Sequence, residues 1–304
     1  DVTLSNALRI EAGADVTIDL KDYTLTLPQT ISTVIEEGAQ LTICNGTVRA
    51  KNLPNGTYAL FNIKKDSSIS LNAVTLDTNG AALFPQGDAA SVTVSNSTIK
   101  GGVYAVGTNA AASDNYNVRI TLENSTLEAP YGYGPTGNNV YDTCTVMINV
   151  PGTLTINNCT ITGARQSLFV RAGNVTVSNS TITNTGQYVG PTYEDSNWQS
   201  GNEAPMGAIV VGDRSNGSAY EHSTAVELSN TTVISQKSEV PAIYTYQKGS
   251  EQVDRNVTIN GGENAFVSGT VSNNGMTGLT ITGGTFTDPQ ASAFIDDTTS
   301  KVIE

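Results

Sequence analysis

The sequence predicts an all-β fold, a right-handed parallel β-helix solenoid of roughly ten coils in which residues 1–304 form one domain. Three observations predict it. Charged residues make up only 14% of the chain, well below the roughly 25% of an average globular protein, and Thr, Ser, Asn and Gly dominate the polar positions. An eight-residue pattern, apolar-x-apolar-x-(Asn/Asp/Gly)-x-Thr-apolar, recurs in nine copies. A second, shorter apolar element follows most of these copies, and nothing of helical period separates them.

The copies start at Ile18, Leu41, Ile69, Val92, Ile120, Leu154, Val175, Val226 and Leu279, with a weaker one at Val257. Apolar residues at positions 1 and 3, as in Val92-Thr93-Val94, alternate as a strand with one buried face requires. Position 5 is Asn at 45, 96, 124, 158, 179 and 230, Asp at 22 and Gly at 283, residue types that accept a left-handed backbone. The chain therefore bends there into a second strand, which the Thr of position 7 opens. Stacked coil on coil, the position-5 asparagines are expected to form a side-chain ladder, each amide bonding to the next and satisfying polar groups that the bend would leave buried, interrupted at Ala73. Segments such as Ala59-Leu60-Phe61, Ala82-Leu83-Phe84, Ala105-Val106, Leu168-Phe169-Val170, Ala208-Ile209-Val210, Ala242-Ile243-Tyr244 and Ala265-Phe266-Val267 supply a third strand per coil. At a coil spacing of about 4.8 Å, the rod is on the order of 45 Å long.

These residues also carry a family resemblance. The run from Asn174 to Asn184, Asn-Val-Thr-Val-Ser-Asn-Ser-Thr-Ile-Thr-Asn, resembles the right-handed β-helix, pectate-lyase-like superfamily over nearly the whole chain. The opening Val2-Thr-Leu, Ile10-Glu-Ala-Gly and Val16-Thr-Ile-Asp-Leu segments and the closing Gly283-Gly-Thr-Phe resemble parts of large secreted surface proteins of gut Firmicutes. The resemblance implies a secreted or cell-surface location, and a fold more than an activity. No charged-then-apolar leader stands at Asp1, and the sequence reads as an excised mature region whose signal and anchor lie outside it.

The superfamily's enzymes imply calcium-binding acids with an Arg or Lys base, or three clustered aspartates with a Gly-His-Gly motif. Neither set is legible: the single histidine, His222, stands in Tyr220-Glu-His-Ser, so a Ser-His-Asp scheme would depend on it alone. No cofactor is implied, and calcium has no acidic-loop motif to hold it. Cys44, Cys144 and Cys159 lack metal-ligand spacing, although a Cys144–Cys159 bridge is conceivable. A net charge of −13 without a basic cluster argues against a nucleic-acid partner, and no apolar run reaches the roughly 18 residues that span a bilayer. A monomer is expected. The sequons at the position-5 asparagines are explained by the repeat rather than by glycosylation.

Long returns at 108–117, 136–151, 212–224 and 247–256, together with an insert at 184–206, wall the third-strand face. In one strand phase Leu60, Leu83, Val106, Leu168, Ile209 and Ile243 point inward, leaving Phe61, Phe84, Phe169, Arg171, Tyr244 and Tyr246 outward, where aromatic faces stack on sugar rings. In the opposite phase the same residues fill the core. The insert holds Tyr188, Tyr193, Glu194, Asp195, Glu203 and Trp198, the sole tryptophan. It reads either as a glycan- or protein-contacting flap anchored on Trp198 or as a self-packed loop. The functional expectation is an extracellular module that binds a glycan or a cell-surface protein. A polysaccharide lyase or glycosidase using acids with Arg171 or Arg214, and a pure structural spacer, are the alternatives.

Overall fold

The computed structural model describes residues 1–28, 32–50, 59–108, 116–130, 144–187, 205–212, 224–247, 255–260, 265–276, 278–296 and 302–303. They wind as a right-handed parallel β-helix. The first and second strands of successive coils form one sheet of twenty strands, and the third strands form another of ten, all paired in parallel.

The repeat lies in register. Ile69, Val92, Ile120, Leu154, Val175, Val226, Val257 and Leu279 stack in one column, so the weak copy at Val257 is a full member. Val94, Leu122 and Ile156, at position 3, are completely buried. The first copy departs from the sequence alignment. Val16, not Ile18, pairs with Leu41, while Thr24 still pairs with Thr47, so two additional residues sit in that bend. Lys21 and Asp22 take them up in left-handed conformation.

The next seven bends each have one such residue, with φ between 46° and 55° at Asn45, Ala73, Asn96, Asn124, Asn158, Asn179 and Asn230. The expected amide ladder forms in part: the bends are equivalent and the amides reach the adjacent coil, but mostly not the next asparagine. These side chains are exposed, and only Asn158 donates directly to its counterpart, Asn124, at 2.8 Å. Asn45, Asn96 and Asn179 donate instead to the residue before the bend of the preceding coil, Asp19, Asn72 and Asn157. The Asn45 amide and the Lys21 N–H together hold the Asp19 carboxyl below the usual carboxylate range.

The buried ladder belongs to the next position. Ser97, Ser125, Ser180 and Thr231 are at most 5% exposed, and each hydroxyl donates to the carbonyl two residues back at 2.6–2.8 Å. Ser97, Ser125 and Ser180 also accept the N–H of the preceding coil's residue, Val74, Ser97 and Cys159, at 3.0–3.1 Å. One hydroxyl thus satisfies two backbone groups that the bend removes from the sheet ladder. Ser125→Ala should strand the Ser97 N–H and cost about 1–3 kcal/mol in a denaturant melt, whereas Asn124→Gly, which keeps the bend, should change stability by under about 0.5 kcal/mol. Equal effects of the two would contradict this assignment.

The third strand needs three corrections. Ala59 pairs with Ala81 and Phe61 with Leu83, so Phe61 points into the core rather than outward. Cys144–Ile148, read from sequence within a long return, is the third strand of its coil. Phe266–Ser268, read as a third strand, pairs within the large sheet, and Val271–Asn274 takes the third-strand place. No disulfide forms: all three cysteines are free thiols, and burial pushes the Cys159 thiol up. At the C-terminal end Pro289–Phe294 forms a 3-10 turn that buries Ala291 over the last coil. Asp288 fixes it by accepting the N–H of Gln290 and of Val271.

Candidate functional site

The outer face of the small sheet is defined by register. Leu83, Val106, Val146, Leu168, Ile209, Ile243 and Val271 form the inward column. Since side chains alternate along a strand, the next residues, Phe84, Gly107, Met147, Phe169, Val210, Tyr244 and Ser272, point outward. Two positions further along, Arg171, Gly212, Tyr246 and Asn274 also point outward. The first of the two strand phases is therefore the one adopted, except at Phe61.

Outward does not mean open. Phe84, Tyr104, Met147, Phe169, Val210 and Tyr246 are at most 3% exposed and form an apolar cluster separate from the solenoid core. Each gap in the outward columns is used. At Gly107 a Cβ would lie 2.8 Å from the Tyr104 ring, which packs 6.4 Å from Phe84 between centroids. At Gly212 a Cβ would collide with the ring of Tyr246. Arg171, 1% exposed, sets its guanidinium over the Phe169 ring, 5.4 Å from the centroid. Such a desolvated cation–aromatic contact contributes on the order of 1–2 kcal/mol. Next to it Asn149, also buried, exchanges two hydrogen bonds with the Thr108 hydroxyl, at 2.8 and 2.9 Å.

Of the aromatic residues expected on this face, Tyr244 is the one among the described residues that keeps part of its surface accessible. Its ring lies 6.1 Å from that of Tyr246 at 43°, which fixes its tilt. Its hydroxyl accepts a 3.4 Å hydrogen bond from the Asn274 amide, and Ser272 stands beside it in register. Asn273 clamps the chain after this strand, donating to the Met276 carbonyl at 2.6 Å and accepting its N–H at 3.0 Å. An accessible aromatic ring with an exposed amide and a hydroxyl is thus held on a rigid sheet.

Tyr188, Tyr193, Glu194, Asp195, Trp198 and Glu203 lie outside the described residues, as do His222 and Arg214. The described residues flanking that segment are firmly tied. Asn184, fully buried, donates to the carbonyls of Arg165 and Gly207 and accepts the Gly186 N–H, and the Gln166 amide donates to the Pro205 carbonyl. Asn184, Tyr104, Met147 and Asn274 escaped the sequence reading. The one available signal was Asn184, a polar residue at an inward position of the repeat.

Among the described residues no three His, Cys, Asp or Glu side chains come together as metal ligands, and no helix is long and apolar enough to cross a membrane. A concavity of about 550 Å³ opens at the first coil, where a floor of Leu4, Leu8, Ile18, Leu20 and Leu25 is bordered by Asp1, Asp19, Lys21, Tyr23 and Thr24.

Fold and face together define a parallel β-helix with a largely covered aromatic face on its small sheet. Among solved structures, the chain is similar to the A-module of the mannuronan C-5 epimerase AlgE4 from Azotobacter vinelandii, with 8% identity, a TM-score of 0.33, and coverage of 88% of this chain and 90% of that one. It is also similar to the tailspike protein gp49 from Pseudomonas phage LKA1, with 12% identity and a TM-score of 0.34. That likeness covers 88% of this chain and 48% of the tailspike, so the chain spans about half of its length. No protein-family model and no curated protein matches the sequence.

Proposed function

We propose that the chain is an extracellular, surface-associated β-helix module that binds a glycan on the outer face of its small sheet. The observation that carries this reading is Tyr244, an accessible ring fixed against Tyr246 with the Asn274 amide and Ser272 alongside. Aromatic faces gain from the C–H faces of sugar rings, while amide and hydroxyl groups select hydroxyl positions. Phe169, Arg171 and Tyr246 act in this reading as the packed support that holds Tyr244 in place. The 184–206 segment belongs to the same proposal as a contacting flap, with Trp198 as its anchor and Tyr188, Tyr193, Glu194, Asp195 and Glu203 as further contacts.

Binding is favoured over turnover. Among the described residues of this face the cation is Arg171, which is withdrawn under its stack, and a lyase base must reach its substrate. A glycan array run beside reducing-sugar and unsaturated-product assays tests the reading. Binding without product formation is expected, and Tyr244→Ala should weaken affinity by about 1 kcal/mol or more, roughly fivefold, while the thermal melt stays in place. Product formation, or binding indifferent to Tyr244, would sink the proposal.

A further inference from the structure

Resting on that reading of the Tyr244 site, we infer that its ligand is an uncharged glycan rather than a polyanionic one. Three observations lead there. The chain carries 28 acidic against 15 basic residues, a formal charge of −13, so a polyanion approaches against the field of the whole molecule. Among the described residues, the side chains that flank Tyr244 through register and contact are Val210, Tyr246, Ser272 and Asn274, none of them charged. Of the arginines in or beside the described third strands, Arg9 lies at the opposite end of the small sheet from Tyr244 and pairs with Glu11 and Glu36, while Arg165 and Arg171 are engaged inside the protein. Arg165 is 2% exposed, and Arg171 is 1% exposed with its guanidinium plane on Phe169.

Recognition of a carboxylate-bearing sugar needs a cation that can reach the carboxylate, ideally through the paired N–H groups of an arginine. Arg171 could serve only by leaving the aromatic ring and breaking into the cluster formed by Met147, Phe169 and Val210. A neutral pyranose asks for nothing of the kind. Its C–H face lies on the Tyr244 ring, and its hydroxyls meet the amide of Asn274 and the hydroxyl of Ser272, groups that can both donate and accept. The contact is then made of dispersion and neutral hydrogen bonds, which salt does not screen.

The test is affinity electrophoresis of the whole chain and of the Tyr244→Ala and Asn274→Ala variants, both checked by thermal melt. The gels contain β-glucan, galactomannan and xylan as neutral polymers, alginate and polygalacturonate as anionic ones, and carboxyl-reduced polygalacturonate as the matched uncharged control. Retardation by at least one neutral polymer is expected, with affinity changing less than about twofold between about 0.05 and 0.5 M NaCl and falling at least about fivefold in Tyr244→Ala. If an anionic polymer binds about tenfold or more tighter than every neutral one, weakens with salt and still depends on Tyr244, the inference fails while the site reading stands. Retardation by none of the polymers, or retardation unchanged in both variants, overturns the site reading and the inference with it.

Discussion

Leu122→Ala is expected to lower the stability of the coils around it by about 2–5 kcal/mol, read as a shift of the denaturant midpoint. Leu122 is completely buried and stacked between Val94 and Ile156, each in turn buried. Removing its branched end leaves a cavity that neither neighbour can fill without leaving its own column, because parallel hydrogen bonds fix the coil spacing. A solenoid transmits such a loss mainly to adjacent coils, so hydrogen exchange should quicken most in Ser91–Ser95 and Gly152–Asn157, the strands on either side. A loss below about 1 kcal/mol would mean that the interior is not packed as a continuous stack.

Gly152→Ala should cost a comparable amount, about 2–5 kcal/mol, for a different reason. Gly152 sits where the chain enters a first strand, in register with Val118, at a φ of 142°. A Cβ there would stand 2.1 Å from the Val118 carbonyl oxygen and 2.7 Å from its nitrogen. Those atoms are backbone held by the sheet, so an alanine must both leave its preferred region and push two coils apart. Gly13 is the matched control, with a φ of 70° and nothing within 4 Å of its would-be Cβ. Gly13→Ala should cost only the conformational strain, about 1–2 kcal/mol. Thermal melts of the two variants separate strain from collision, and similar melts would refute the close approach of the coils.

The large sheet could be read from the sequence because its strands are buried on one face only. Val92-Thr93-Val94 alternates, and the Asn-x-Thr bend marks where one strand ends and the next begins. The first copy misaligns because Lys21 and Asp22 lengthen the bend without breaking the alternation. The small sheet was harder. Phe169 and Val210 face outward yet are as buried as Leu168 and Ile209, so both faces are apolar and the period-2 signal disappears. That is why alternation alone puts Phe61 on the wrong face and does not reveal Cys144–Ile148. The serine ladder was hidden for a related reason. A small polar residue after a turn reads as solvent-facing, and only the stacking of coils brings Ser125 under the N–H of Ser97. In the candidate site, composition could nominate aromatic residues but could not say which are covered, since burial of the outer face is a tertiary fact.

Hydroxyl-radical footprinting, with and without a saturating polysaccharide from the binding panel, tests the location of the binding face most directly. Tyr244 and Tyr23 are both accessible in the free protein, Tyr23 on the first coil at 61% exposure, and they serve as paired reporters on different parts of the rod. Bound ligand should lower oxidation of Tyr244 about threefold or more and leave Tyr23 unchanged, as expected for a hot spot enclosed at a contact. Protection of Tyr23 with Tyr244 oxidised as before would contradict the assignment and move the binding surface to the first coil.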